Sequence, residues 1–151
     1  MSPLPPLRPI LLVEDNPNDV ELTLTALKQA RLANEVIVAH DGDQALDLLF
    51  RRGAHAGRTA PDPSVVFLDL KMPGTDGRDV LRQMRNAPAL ENLPVVVLTS
   101  SREESDLLET YQLGANAYVV KPVGFSNFIS AVSKLGFFWA LINEPPPTPR
   151  A

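Results

Sequence analysis

The sequence predicts an α/β domain: a parallel five-stranded sheet with helices on both faces. Three observations predict it. Short, nearly unbroken apolar runs recur five times, each is followed by a stretch whose apolar residues have helical spacing, and Gly, Pro or Asn punctuates the joins. Strands covered on both faces read as continuous apolar runs, whereas half-exposed strands alternate.

Ile10-Leu11-Leu12-Val13 is the first strand, and Asn16-Pro17 behind it offers an N-cap with Pro at the first helical position. Val20, Leu24 and Leu27 then share one face of the first helix. Val36-Ile37-Val38-Ala39 is the second strand, and Ala45, Leu46, Leu48 and Leu49 mark a second helix running to about Arg52. The stretch from Gly53 to Pro63 is rich in Gly and Pro and has no period, which predicts an extended loop. Val65 to Leu68 is the third strand, closed by Asp69 and broken by the Pro73-Gly74 turn. A third helix starts near Gly77 and carries Val80, Leu81 and Met84, after which residues 88–94 return the chain to a fourth strand, Val95 to Leu98. Leu107, Leu108, Tyr111 and Leu113 form a helix that stops at Gly114, a C-cap residue. Ala117 to Val120 is the fifth strand, and a last helix runs from about Ser126 to Asn143. The folded unit is expected over 9–143, between flexible Pro-rich ends at 1–8 and 144–151, with no output domain after it.

Composition narrows the function. The 151 residues suit one domain that buries its core without staples. A net charge of −4 argues against nucleic acid as the main partner, since phosphate backbones are bound by basic faces. Without cysteine there is no disulfide framework, zinc-thiolate site or thiol nucleophile. No secretory signal and no apolar run of membrane-spanning length is present, so a cytoplasmic protein with no membrane association is expected. His40 and His55 lack partners at metal-ligand spacing and read as structural or exposed.

Five strands joined by right-handed helical crossovers give the doubly wound, flavodoxin-like order 2-1-3-4-5, whose connections diverge between the first and third strands. A crevice opens there at the carboxyl ends. The first strand ends at Glu14-Asp15 and the third at Asp69, so three carboxylates converge on the crevice. Such a cluster repels itself unless a cation neutralises it, and an all-oxygen set suits Mg²⁺. A carboxylate beside that cation can attack phosphorus and form an aspartyl-phosphate. Thr99 and Lys121, just beyond the fourth and fifth strands, offer a hydroxyl and a positive charge to phosphoryl oxygens. Taken singly, each has a plainer reading as a loop acid, turn cap, helix cap or surface lysine; together they share one sheet edge.

Glu14-Asp15, Asp69 with Met72-Pro73 and Gly77, Thr99-Ser100, Tyr118 and Lys121-Pro122 resemble the receiver domain of a two-component response regulator, a CheY-like fold. The resemblance covers roughly residues 9–143. It implies Asp69 as phosphoacceptor, Asp15 as a direct Mg²⁺ ligand with Glu14 supporting it, and the Lys71 carbonyl completing the protein's share. It further implies that Lys121 pairs with Asp69 and then with the phosphoryl group, that Thr99 and Tyr118 form the switch, and that Lys121-Pro122 is a cis peptide. Lys71 and Ser101 flank the implied path of a hydrolytic water. The Gly53–Pro63 loop and the ending Phe137 to Pro145 most resemble the stand-alone regulators that partner bacterial phytochromes, which makes a sensor histidine kinase of that kind the expected donor.

The last helix carries Phe137, Phe138 and Leu141 beyond the stripe needed for the core, and the family often dimerises through its fourth and fifth helices. A homodimer through this surface is expected. Two rival classes compete with the receiver: an aspartyl-phosphate phosphotransferase or phosphatase, and a flavin-binding electron carrier on the same fold. Dehalogenase-type enzymes place an acid two residues after the nucleophile, where this chain has Lys71. A flavin phosphate needs a neutral, donor-rich first loop, and Glu14-Asp15-Asn16-Pro17 is acidic.

Overall fold

A computed structural model describes residues 7–100, 104–121 and 125–142. Five parallel strands, β1 (Ile10–Val13), β2 (Val36–Ala39), β3 (Val65–Asp69), β4 (Val95–Thr99) and β5 (Ala117–Val120), lie in the order β2-β1-β3-β4-β5. The intervening helices are α1 (Pro17–Gln29), α2 (Gly42–Leu49), α3 (Gly77–Arg85), α4 (Glu104–Gln112) and α5 (Phe125–Phe137). None of the described helices is long and apolar enough to cross a membrane.

Alternate side chains of the central strands feed two cores. Leu11, Val13, Val66, Leu68, Val95 and Val97 pack with Leu46, Leu49, Val80, Leu81 and Met84 from α2 and α3. Ile10, Leu12, Val65, Phe67, Val96 and Leu98 pack with Ala26, Leu27, Ile129 and Val132 from α1 and α5. Every residue of β1, β3 and β4 is buried, which is why these strands are apolar on both faces. Each large side chain sequestered this way contributes roughly 1.5–3 kcal/mol.

The helix starts follow local chemistry. Asn16 Oδ1 accepts from the backbone N–H groups of Asn18 and Asp19, capping α1 with Pro17 at its first position. Asp41 and Asp76 cap α2 and α3 in the same way, through the Gln44 and Asp79 amides. Gly114 follows α4 at φ +103°, a conformation that side chains with a Cβ avoid.

Four boundaries differ from the sequence expectation. β3 and β4 each extend one residue, taking Asp69 and Thr99 into the sheet, because the ladder pairs Asp69 with Leu98 and Thr99 with Val120. α2 stops at Leu49, where Phe50 leaves the helix and Arg51 turns to φ +55°. The segment after it is not simply extended: Gly53–His55 forms a 3₁₀ turn, and arginines pin the remainder. Arg51 donates to the carbonyls of Arg58 and Ala60, Arg58 to that of Pro61, and Arg8 to those of Asp62 and Pro63. The last helix is α-helical only to Phe137 and widens into a π turn over Phe138–Ile142; Asn143 lies outside the described residues.

Gly77 sets the approach of α3 to the end of β3. Its N–H donates to the Leu70 carbonyl at 2.9 Å, and a Cβ there would collide with the Asp69 carbonyl oxygen and lie 2.7 Å from Leu70 Cα. Both obstacles are backbone and cannot rotate away. Gly77→Ala is therefore expected to lower unfolding free energy by roughly 1–3 kcal/mol in a urea titration; an unchanged midpoint would show that the junction relaxes freely.

Candidate functional site

The register of the sheet assembles the site. Val13 pairs with Leu68, so Glu14, the next residue, stands beside Asp69 where β1 and β3 end. Glu14, Asp15 and Asp69 each bring a carboxylate oxygen within 4.8 Å of the others. Glu14 and Asp69 are buried and Asp15 is exposed, which leaves the cluster open on one side. Among the described residues this is the group whose donors fit a metal ion. All its donors are hard oxygens, a set that suits Mg²⁺ or Mn²⁺ more than a thiolate-seeking metal.

Among the described residues, Lys121 is the cation in contact with the cluster's buried carboxylates. Its side chain is 5% exposed, and its Nζ donates to Glu14 Oε1 at 2.5 Å and to Asp19 Oδ2 at 2.8 Å. Asp69 Oδ1 is farther away, at 3.8 Å, an ion pair without a hydrogen bond. The sequence expectation paired Lys121 with Asp69. Here Glu14 and Asp19 hold the ammonium more closely, and Asp69 is its third neighbour. Asp19 escaped the sequence reading because an acid in the first turn of a helix already has an ordinary explanation in the helix dipole. Its place four residues after Asp15, in the first turn of the helix that leaves the carboxylate cluster, was the available signal.

The other expected residues lie around this centre. Thr99 is 1% exposed at the end of β4, and the Lys121 backbone N–H donates to its carbonyl at 2.7 Å, tying the ends of β4 and β5 together. Tyr118 is half-buried on β5, with its ring centroid 6.5 Å from that of Tyr111 on α4 at a 35° tilt. The Lys71 amide donates to Asp69 Oδ1 at 3.4 Å, while its side chain points away to Asp106, 4.0 Å distant. Asp106 is also held by Arg78, which reaches Glu109 as well at 3.2 Å. Ser101 and Pro122, and with Pro122 the expected cis bond, lie outside the described residues. At the far end of α5, Phe137 and Phe138 are each 43% exposed; the Leu141 side chain lies outside the described residues.

The electrostatics reflect three buried or half-buried acids sharing one ammonium. Burial, reinforced by the neighbouring Asp69, pushes the Glu14 carboxyl up to about 7 despite the Lys121 contact. Burial likewise raises Asp69, against the lowering influence of Glu14, Lys121 and the Lys71 amide. For Lys121 burial opposes the charge, but the hydrogen bonds it donates to Asp19 and Glu14 outweigh this and hold the ammonium above its ordinary range. The site therefore carries excess negative charge that a proton or a divalent cation relieves.

Residues 10–133 match the response regulator receiver domain family. The chain is 36% identical to the response regulator Rcp1 of Synechocystis over 134 residues, covering 89% of this chain and 90% of Rcp1. A Mn²⁺-bound structure of Rcp1 superposes with a TM-score of 0.83, covering 93% of this chain and 99% of that one at 34% identity. The bacteriophytochrome response regulator AtBRR is 58% identical, with a TM-score of 0.75 over 93% of this chain and all of AtBRR. The phosphorylated cyanobacterial phytochrome response regulator RcpA gives a TM-score of 0.85 at 34% identity, over 94% of this chain and all of RcpA.

A raised carboxyl pKa has a definite sign in stability. Between the ordinary Glu value of 4.5 and about 7, folded Glu14 keeps a proton that the unfolded chain releases. Its contribution is complete below that window and lost as pH rises through it. In chelator, the unfolding free energy of wild type minus that of Glu14→Gln should fall by on the order of 2 kcal/mol between pH 4.5 and 7.5. Denaturant titrations at the two pH values measure it, and a pH-independent difference would contradict the assignment.

Proposed function

The chain belongs to the response regulator receiver family, and we propose that it takes a phosphoryl group from a sensor histidine kinase onto Asp69. The observation that carries this is the position of Asp69: last residue of a buried strand, within 4.8 Å of two further carboxylates and 3.8 Å from the Lys121 ammonium. An Asp69 carboxylate oxygen attacks phosphorus, the phosphorus–nitrogen bond to the donor histidine breaks, and its electron pair stays on the imidazole. Lys121 offers positive charge to the phosphoryl oxygens, and the Thr99 hydroxyl donates a hydrogen bond to them. Receiver domains bind a divalent metal; here Asp15, Asp69 and the Lys71 carbonyl would hold Mg²⁺ with Glu14 in support, and its positive charge would offset that of the carboxylates and phosphoryl oxygens.

Phosphate is lost slowly when water attacks phosphorus and the bond to Asp69 breaks, returning its electron pair to the carboxylate. The chain thus assists its own phosphorylation and dephosphorylation but makes no product of its own. Its message is the added charge. Thr99 moves toward the phosphoryl group, Tyr118 follows into the space behind it, and the surface of α4, β5 and α5 changes shape. The likeness to the bacteriophytochrome response regulator AtBRR, and to the cyanobacterial phytochrome response regulator RcpA, supports a phytochrome-type kinase, a bacteriophytochrome in particular, as the donor.

Incubation with Mg²⁺ and acetyl phosphate should give a one-phosphate adduct by intact mass. Asp69→Asn should abolish it, and chelator or Asp15→Ala should suppress it strongly; an adduct that survives Asp69→Asn would remove Asp69 from its role.

The exposed pair Phe137 and Phe138 supports a homodimer, since adjacent aromatic rings at a helix end are costly to leave in water. Light scattering at tens of micromolar should give twice the chain mass, and Phe137→Glu with Phe138→Glu should give the monomer. A wild-type monomer with and without acetyl phosphate would overturn this interface.

A further inference from the structure

We propose that Asp19 is a positioning residue that restrains Lys121, so that a phosphoryl group on Asp69 must win the ammonium from it. The inference rests on the reading of Asp69 as phosphoacceptor and goes beyond it. Three acids face Lys121 Nζ: Glu14 on β1's end, Asp69 on β3 and Asp19 on α1. Glu14 and Asp69 belong to the carboxylate cluster itself. Asp19 does not, so it holds the ammonium from outside the cluster that contains the group to be modified.

Asp19 is also poorly placed to follow Lys121. It sits in the first turn of α1, its own amide bound to the Asn16 cap at 3.2 Å and Pro17 restricting the backbone two residues before it. The 2.8 Å bond to Asp19 and the 3.8 Å separation from Asp69 describe one arrangement, with the ammonium on the Asp19 side; a second, in which it closes on the group carried by Asp69, is the proposed alternative. A phosphoryl group adds charge on the Asp69 side and favours the second position; Asp19 favours the first. Differential interaction of this kind sets the population of the two arrangements. Removing the Asp19 carboxylate should therefore make the phosphorylated arrangement easier to reach.

Beryllofluoride, which mimics an acyl phosphate on a carboxylate, provides the probe. Its half-saturating concentration is measured by ¹⁹F NMR in Mg²⁺ on the full chain, for wild type, Asp19→Asn, Asp19→Glu, Glu21→Gln and Asp69→Asn. Asp19→Asn should lower it by about threefold or more, since the competing partner is gone. Asp19→Glu, which keeps a carboxylate, should stay near wild type, and so should Glu21→Gln, which removes an exposed charge from the same helix. A purely structural role in α1 would lower the melting temperature of Asp19→Asn without tightening the analogue. Unchanged or weakened binding in Asp19→Asn overturns the inference, as does an equal shift in Glu21→Gln, which would reveal a general field effect. Should Asp19→Asn fail to fold, Asp19→Ser repeats the test with the same expectation. Wild type that binds no beryllofluoride, or Asp69→Asn that still does, overturns the phosphoacceptor reading and this inference with it.

Discussion

The site depends on an imbalance of charge: Glu14, Asp19 and Asp69 surround one buried ammonium, that of Lys121. A single cation cannot neutralise three acids, and burial makes the surplus costly. Burial is the main reason that the Glu14 carboxyl rises to about 7 and that Asp69 rises too, and the neighbouring Asp69 adds to the Glu14 shift. The same surplus makes the cluster attractive to a divalent cation. A well-balanced pocket would be more stable and chemically inert.

The sheet makes that imbalance possible. With β1, β3 and β4 fully buried, polar groups can appear only where these strands end, and parallel register brings the ends to one edge. Gly77 lets α3 pass against the Asp69 and Leu70 backbone, so the strand can run up to its final carboxylate before the chain turns. Apolar packing on both faces anchors the strands, and the acids are held at their tips by that rigidity. The packing energy therefore also serves the site, because it fixes side chains that would otherwise separate.

Most of this was legible in residue order because parallel strands and capped helices leave local signals. Val65 to Leu68 is continuous and apolar for the reason that β3 is central, and Asn16-Pro17 caps α1 by chemistry confined to four residues. The contribution of Asp19 is not local: it depends on Lys121, 102 positions away, reaching back across the crevice. The loop after α2 was unreadable for a similar cause. Its Gly and Pro residues signal only the absence of regular structure, whereas Arg8, Arg51 and Arg58 order it through carbonyls that carry no sequence signature. The π turn at Phe138–Ile142 continues an apolar pattern that a regular helix would also satisfy, so periodicity alone could not mark it.

Where a change at Asp69 could emerge follows from which neighbours are able to yield. β3 and β4 are buried throughout and transmit strain without moving, whereas all four residues of β5 are only half-buried. β5 joins the site through the bond from the Lys121 amide to the Thr99 carbonyl, and three residues earlier it carries Tyr118 against Tyr111. α4 exposes the apolar side chains Leu107, Leu108 and Tyr111 beside polar ones, and Arg78 anchors it through Asp106 and Glu109. Ion pairs to a surface helix exchange partners at little cost compared with repacking a core. On the proposed reading, a shift of Lys121 or Thr99 therefore finds its easiest outlet through β5 and α4, the apolar surface on which a partner would register it.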